Sequence, residues 1–222
     1  MVEKIYKKLC KYGTQGWWPL SKGKLETKHY NGSPVNDHDK WEIIVGAVLT
    51  QNTSWTNVEK AIYNLNKADL LRMDKLITTK TSRIAELIKP TGYFNQKAER
   101  LKIIAEYFDR HFKNKTIPSR SELLDVKGIG PETADSILLY AFDQPYFVVD
   151  AYTRRIFSRL GMIDEKASYD ETQGLFMEAY KDLGDVEKVE LFKEYHALIV
   201  EHAKRNCKAK AECSECFFSC KI

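Results

Sequence analysis

Long apolar runs are missing from this 222-residue chain. The longest, Ile43 to Leu49, is seven residues, against about 20 for a membrane-spanning helix. The first residues, Met-Val-Glu-Lys-Ile-Tyr-Lys-Lys, contain no apolar stretch of signal-peptide length. Glycine (11) and proline (6) are scarce beside 43% hydrophobic and 12% aromatic residues. That balance excludes a collagen-like, low-complexity or disordered chain. No large excess of one charge exists either: 35 Lys+Arg against 31 Asp+Glu leaves +4. Cysteine is nearly absent before the C-terminus, with Cys10 alone among the first 206 residues. The expectation is a soluble cytoplasmic protein with ample apolar material for a core.

What is present is helical periodicity. Trp41, Ile44, Val45 and Val48 recur at the spacing of one helix face, as do Val58, Ile62 and Leu65. A long amphipathic helix carries Leu101, Ile104, Ala105 and Phe108. Ser168 and Glu171 have capping-box spacing and open another helix, and a last one runs from about 186 to 205. Alternating strand patterns are lacking, so the predicted class is all-α. Residues 20–39 read as a long connection.

Charge is distributed unevenly. Residues 1–31 hold seven Lys and two Glu, a local +5. This is compatible with a nucleic-acid contact and equally with a solvated helix face. Cys207, Cys213, Cys216 and Cys220 lie within fourteen residues. In a reduced compartment such crowding argues for a metal rather than disulfides. Zinc sites with four cysteines commonly use two separated Cys-x2-Cys pairs. With a single such pair, Cys213 and Cys216, the pattern suits a compact iron–sulfur cluster better.

The segment Leu123-Leu124-Asp125-Val126-Lys127-Gly128-Ile129-Gly130-Pro131-Glu132-Thr133-Ala134 predicts two short helices around a tight turn. Both glycines allow positive φ, and Pro131 suits the first turn of the second helix. Ile129 plugs the angle between the helices. The N–H groups at the second helix start form an anion site that a DNA phosphate fits without base preference.

Together with the apolar return Tyr146-Phe147-Val148-Val149-Asp150, this turn resembles the helix-hairpin-helix, Gly/Pro-rich loop and aspartate of the endonuclease III superfamily of DNA glycosylases. Three further segments carry the resemblance: Gly46-Ala47-Val48-Leu49-Thr50-Gln51-Asn52-Thr53, Gly92-Tyr93-Phe94-Asn95-Gln96-Lys97-Ala98, and the C-terminal cysteines. Trp17-Trp18-Pro19 with Trp41 is most similar to the 3-methyladenine DNA glycosylase III branch. The resemblance implies a two-lobed helical fold. Residues 1–38 with 145–222 would form a terminal domain with an iron–sulfur loop, and 39–144 a six-helix domain with the hairpin at about 123–142. The active site would lie between the lobes.

It further implies a monofunctional glycosylase of base excision repair, acting as a monomer on double-stranded DNA that contains an alkylated purine. Asp150 would be catalytic; its plain alternative is a helix N-cap. Trp17, Trp18 and Trp41, with Glu132, would build the base pocket, where aromatic faces attract a cationic base. Core packing is the alternative for the tryptophans. Gln51 would fill the gap left by the flipped base or simply end a surface helix. Asn52, Lys97, Lys127, Gly128, Ile129, Gly130 and Thr133 complete the implied DNA contact, and the four cysteines would hold a [4Fe–4S] cluster. Two departures stand out. Glu132 occupies the position of the lysine that lyase members use. The spacing Cys-x5-Cys-x2-Cys-x3-Cys is shorter in two gaps than the family's Cys-x6-Cys-x2-Cys-x5-Cys. A glycosylase for another lesion, or a non-catalytic iron–sulfur DNA-binding protein, fits the same motifs.

Overall fold

Eleven α-helices follow one another in the computed structural model, which describes residues 1–22, 24, 27–29, 33–210, 213, 216–218 and 220. They are α1 (Val2–Leu9), α2 (Asp37–Leu49), α3 (Trp55–Lys67), α4 (Met73–Thr78), α5 (Thr81–Leu87), α6 (Phe94–Asn114), α7 (Arg120–Leu124), α8 (Pro131–Phe142), α9 (Ala151–Arg159), α10 (Tyr169–Ala179) and α11 (Asp185–Arg205). One departure from the all-helical expectation is a short antiparallel ladder, β1 (Pro19–Leu20) against β2 (Lys28–His29), with Pro19 opposite His29. Among the described residues no helix is long and apolar enough to cross a membrane.

The chain forms two compact units: Met1–Trp17 with Asp143–Ile222, and Trp18–Phe142. In the central unit α2 is apolar nearly all round, and Trp41 and 43–49 are all buried. Such a helix can only sit in a core. Asn36 starts it by accepting from the Asp39 N–H at 2.8 Å. The second fully embedded helix, α8, packs against it. The terminal unit is built on α11, whose Phe192, Tyr195, Leu198 and Ile199 are fully buried. Phe147 stacks on Phe176 at 3.7 Å between ring centroids. The Tyr195 hydroxyl donates to the Val2 carbonyl at 2.9 Å, tying α1 to the last helix. The expected box at α10 is present: Ser168 Oγ accepts from Glu171 N, and Glu171 Oε2 accepts from Ser168 N.

The N-terminal boundary differs from expectation. Residues 18–38 belong to the central unit rather than to the terminal one. Buried Glu42 is the physical reason, with Trp18. Glu42 accepts from the Ser21 N–H and Oγ, both at 2.6 Å, and Asn66 Nδ2 donates to the same Ser21 Oγ at 3.0 Å. The Trp18 ring lies on α2 at Gly46, where a Cβ would come within 3.1 Å of the indole Nε1. Any larger residue at 46 would push the ring away.

Candidate functional site

The hairpin is a well-braced turn between α7 and α8. Gly128 has φ +95°, a conformation costly for any residue with a Cβ, whereas Gly130 is not among the positive-φ glycines. Both glycines allow positive φ, and the turn uses that freedom at Gly128. A Cβ on Gly130 would meet nothing within 4 Å, and the residue is exposed, as is Lys127. Ile129 is 5% exposed and plugs the turn as expected. Below it, Arg120 forms a two-pronged ion pair with fully buried Asp135, Nε to Oδ1 at 2.7 Å and Nη2 to Oδ2 at 3.2 Å. A fork of this kind fixes one helix against the other, and no local sequence signal announced it.

Gln51 follows α2 and is committed to this turn. Its Nε2 donates to Gly128 O and Thr133 Oγ1, both at 3.0 Å, and its Oε1 accepts from Arg100 Nη1 at 2.9 Å. Thr133, expected at the DNA surface, is 6% exposed, with its hydroxyl engaged by Gln51. Asn52 is exposed with a left-handed backbone, φ 54°. Tyr93, also left-handed at φ 45°, is 68% exposed at the start of α6. A strained aromatic held in water is a candidate contact that the sequence reading passed over.

Lys97 corrects another expectation. It is 1% exposed and donates from Nζ to Leu49 O at 2.8 Å and Thr91 O at 2.9 Å. Burial, helped by the charge of Arg100, brings it down to about 8. Its role is to satisfy two carbonyls at the ends of neighbouring elements, not to meet phosphate.

In the terminal unit Asp150 is both an N-cap and a poised carboxylate. Oδ1 accepts from Thr153 N at 2.7 Å and Thr153 Oγ1 at 2.8 Å. Oδ2 lies 3.6 Å from His196 Nε2 on α11. The buried run Phe147-Val148-Val149 precedes it. Burial opposes ionisation, but His196 and the Thr153 donors outweigh it and hold the carboxyl below its ordinary value. His196 was not singled out from sequence, because nothing local connects it to residue 150.

The tryptophans divide. Trp18 is 6% exposed, edge-on to Trp55 at 5.3 Å and tilted on Tyr140 at 5.1 Å. Trp41 is 2% exposed, and its indole N–H has no acceptor among the described residues. Both are core side chains of the central unit, which matches the packing alternative rather than an exposed wall of a base pocket. Trp17 is half-buried in the terminal unit, with Lys204 Nζ 5.9 Å from its ring. Glu132 is exposed in the first turn of α8. A surface cavity of about 430 Å³ is lined by Tyr107, Arg110, His111 and Glu122 among others, and none of the expected residues borders it.

The cysteines gather beyond α11. Cys207 Sγ accepts from Arg159 Nη1 at 3.1 Å, and its carbonyl accepts from Arg155 Nη1 at 2.8 Å. Cys216 Sγ is 3.7 Å from His202 Nε2, while Cys216 N donates to Cys213 O at 3.2 Å. Burial first, then the like charges of Cys216, Cys207 and Cys213, push the Cys220 thiol up. Cysteine sulfurs, one of them accepting from an arginine, are the donor chemistry an iron–sulfur core requires. Among the described residues no three His, Cys, Asp or Glu side chains converge as metal ligands.

Residues 45–182 match the family described as HhH-GPD superfamily base excision DNA repair protein. A Methanocaldococcus jannaschii protein named as a candidate DNA repair glycosylase is 47% identical over 227 residues, spanning 97% of this chain and 93% of that one. Endonuclease III of Thermotoga maritima is 31% identical over 180 residues, 81% of this chain and 80% of its own. Among solved structures, the 3-methyladenine DNA glycosylase of H. pylori bound to 1,N6-ethenoadenine is 30% identical, with TM-score 0.70 over 91% of this chain and 97% of that one.

Proposed function

The chain belongs to the HhH-GPD superfamily of base excision DNA repair proteins, and from that premise we propose that it is a monofunctional DNA glycosylase for alkylated purines such as 3-methyladenine. The observation that carries this reading is the setting of Asp150. It is a carboxylate only 14% exposed whose contacts with His196 and Thr153 nonetheless hold it below its ordinary value. A glycosylase turns the damaged nucleotide out of the duplex before it can reach the bond. The C1′–N bond then breaks, the base departs with the electron pair, and positive charge develops on the sugar. An anion held in an apolar setting stabilises that charge far better than one in water. It also accepts a proton from the water whose oxygen bonds to C1′. A purine nucleoside alkylated at N3 or N7 starts cationic and its base leaves neutral, so for such a base the site needs no strong acid.

Likeness to the ethenoadenine-bound 3-methyladenine glycosylase supports this choice of base. So does half-buried Trp17, whose face suits a flat cationic ring. Imine chemistry requires an amine, and Glu132 supplies none where lyase members carry lysine. On the central unit, exposed Lys127 and the open space at Gly130 suit a phosphate. Tyr93 suits stacking on a base. Cys207, Cys213, Cys216 and Cys220 would hold a [4Fe–4S] cluster, which when bound would tie down the loop after α11.

A panel of duplexes containing 3-methyladenine, 1,N6-ethenoadenine, uracil, thymine glycol or adenine opposite 8-oxoguanine tests the proposal. Release of the alkylated purines should leave an intact abasic site that breaks only in alkali, with no borohydride-trapped adduct. Release of thymine glycol alone would overturn the substrate. An adduct trapped as fast as base release would overturn the monofunctional reading. Binding without release of any base would favour the non-catalytic alternative.

A further inference from the structure

Helix capping uses only half of Asp150. Thr153, three residues on, supplies both donors to Oδ1, at 2.7 and 2.8 Å, and with them the cap is complete. Oδ2 takes no part in it. That oxygen lies 3.6 Å from Nε2 of His196, a residue on α11 that capping does not require. His196 is 6% exposed, and its neighbours Tyr195 and Ala197 are 0% and 2% exposed. The imidazole is therefore held within a packed helix and cannot swing to solvent.

From this geometry we infer that His196 is a positioning residue for the glycosylase reaction: its Nε2–H orients the Oδ2 edge of the Asp150 carboxylate. The inference rests on the catalytic reading of Asp150 given above. Thr153 anchors one oxygen from the carboxylate's own helix. His196 anchors the other from a different helix, so the carboxylate plane is defined at both ends. The oxygen that must face developing charge on a sugar needs such a second anchor, because a carboxylate held at one oxygen still rocks about its Cβ–Cγ bond. A separation of 3.6 Å is long for a hydrogen bond at rest, and contacts of this kind tighten when substrate is bound. The pairing requires the Nε2–H tautomer, in which the donor points at the acceptor.

Three variants separate this role from packing, read by single-turnover base release and, independently, by duplex affinity and thermal melting. His196→Leu fills the space without a donor and should lower the excision rate constant about 10-fold or more, leaving duplex affinity unchanged. His196→Gln places an amide N–H where Nε2 stood and should recover to within about 3-fold of the parent protein. Equal activity of the two variants, whether both high or both low, would overturn the inference. Asp150→Asn separates this failure from that of the underlying reading. If Asp150→Asn retains excision, the catalytic assignment itself is wrong. If it abolishes excision while His196→Leu does not impair it, only the role of His196 falls.

Discussion

Gln51 Nε2 donates to the carbonyl oxygen of Gly128 at 3.0 Å, so a side chain at the end of α2 braces a turn 77 residues further along. The same amide reaches Thr133 and accepts from Arg100, and the Arg100 side chain covers Gly128 so closely that a Cβ there would come within 2.5 Å of its Cδ. The hairpin is thus held by residues from three separate helices or helix ends.

Loss of that brace should be felt before any base is flipped. Gln51→Ala removes three hydrogen bonds at the turn, and each contributes about 1 kcal/mol. Affinity for undamaged duplex should fall several-fold, together with affinity for damaged duplex. A side chain that served only to occupy the gap beside a flipped base would leave the undamaged duplex unaffected. Filter binding or anisotropy on matched duplexes distinguishes the two.

Asp150→Asn should retain the fold and lose excision. Asparagine caps a helix about as well as aspartate, so α9 remains anchored through Thr153. A rate loss of 100-fold or more corresponds to about 2.7 kcal/mol of lost transition-state stabilisation, well beyond what the cap could account for. Single-turnover rates beside thermal melting provide the check.

Lys97 offers a test in the stability curve. Its ammonium is brought down to about 8 from 10.5 by burial. Between those values the unfolded chain binds a proton that the folded chain has released, so this group makes stability rise with pH. Below about 8 both states are protonated and the folded state bears the full cost of the buried cation. The stability of the parent protein relative to Lys97→Met should therefore increase from pH 7.5 to pH 10 in denaturant titrations. A flat difference would show that the lysine is not burdened by burial.

Anaerobically purified protein should contain about four iron atoms per chain, and Cys207→Ser should reduce that content. One zinc and no iron would replace the iron–sulfur reading with a zinc site.

Local spacing was enough for much of the architecture. The Ser168 and Glu171 box, the apolar stripe around Trp41 and the Gly128 turn each depend on residues no more than about four apart, and each formed as read. Residues 67–91 were harder, because α4 and α5 span only six and seven residues and carry little periodicity. Asp150 could be read as a cap from its own neighbourhood. That its second oxygen faces His196 depends on α11 returning past it, and no local pattern encodes that return. Lys97 and Trp41 show the same limit in reverse. Their side-chain chemistry suits phosphate and a cationic base, but burial is a property of the assembled helices, and it assigned both to the interior. Gln51 is polar at a helix end in any reading. Only the approach of Arg100, Gly128 and Thr133 from distant positions made it a brace, because a hydrogen bond forms where tertiary packing brings donor and acceptor within about 3 Å.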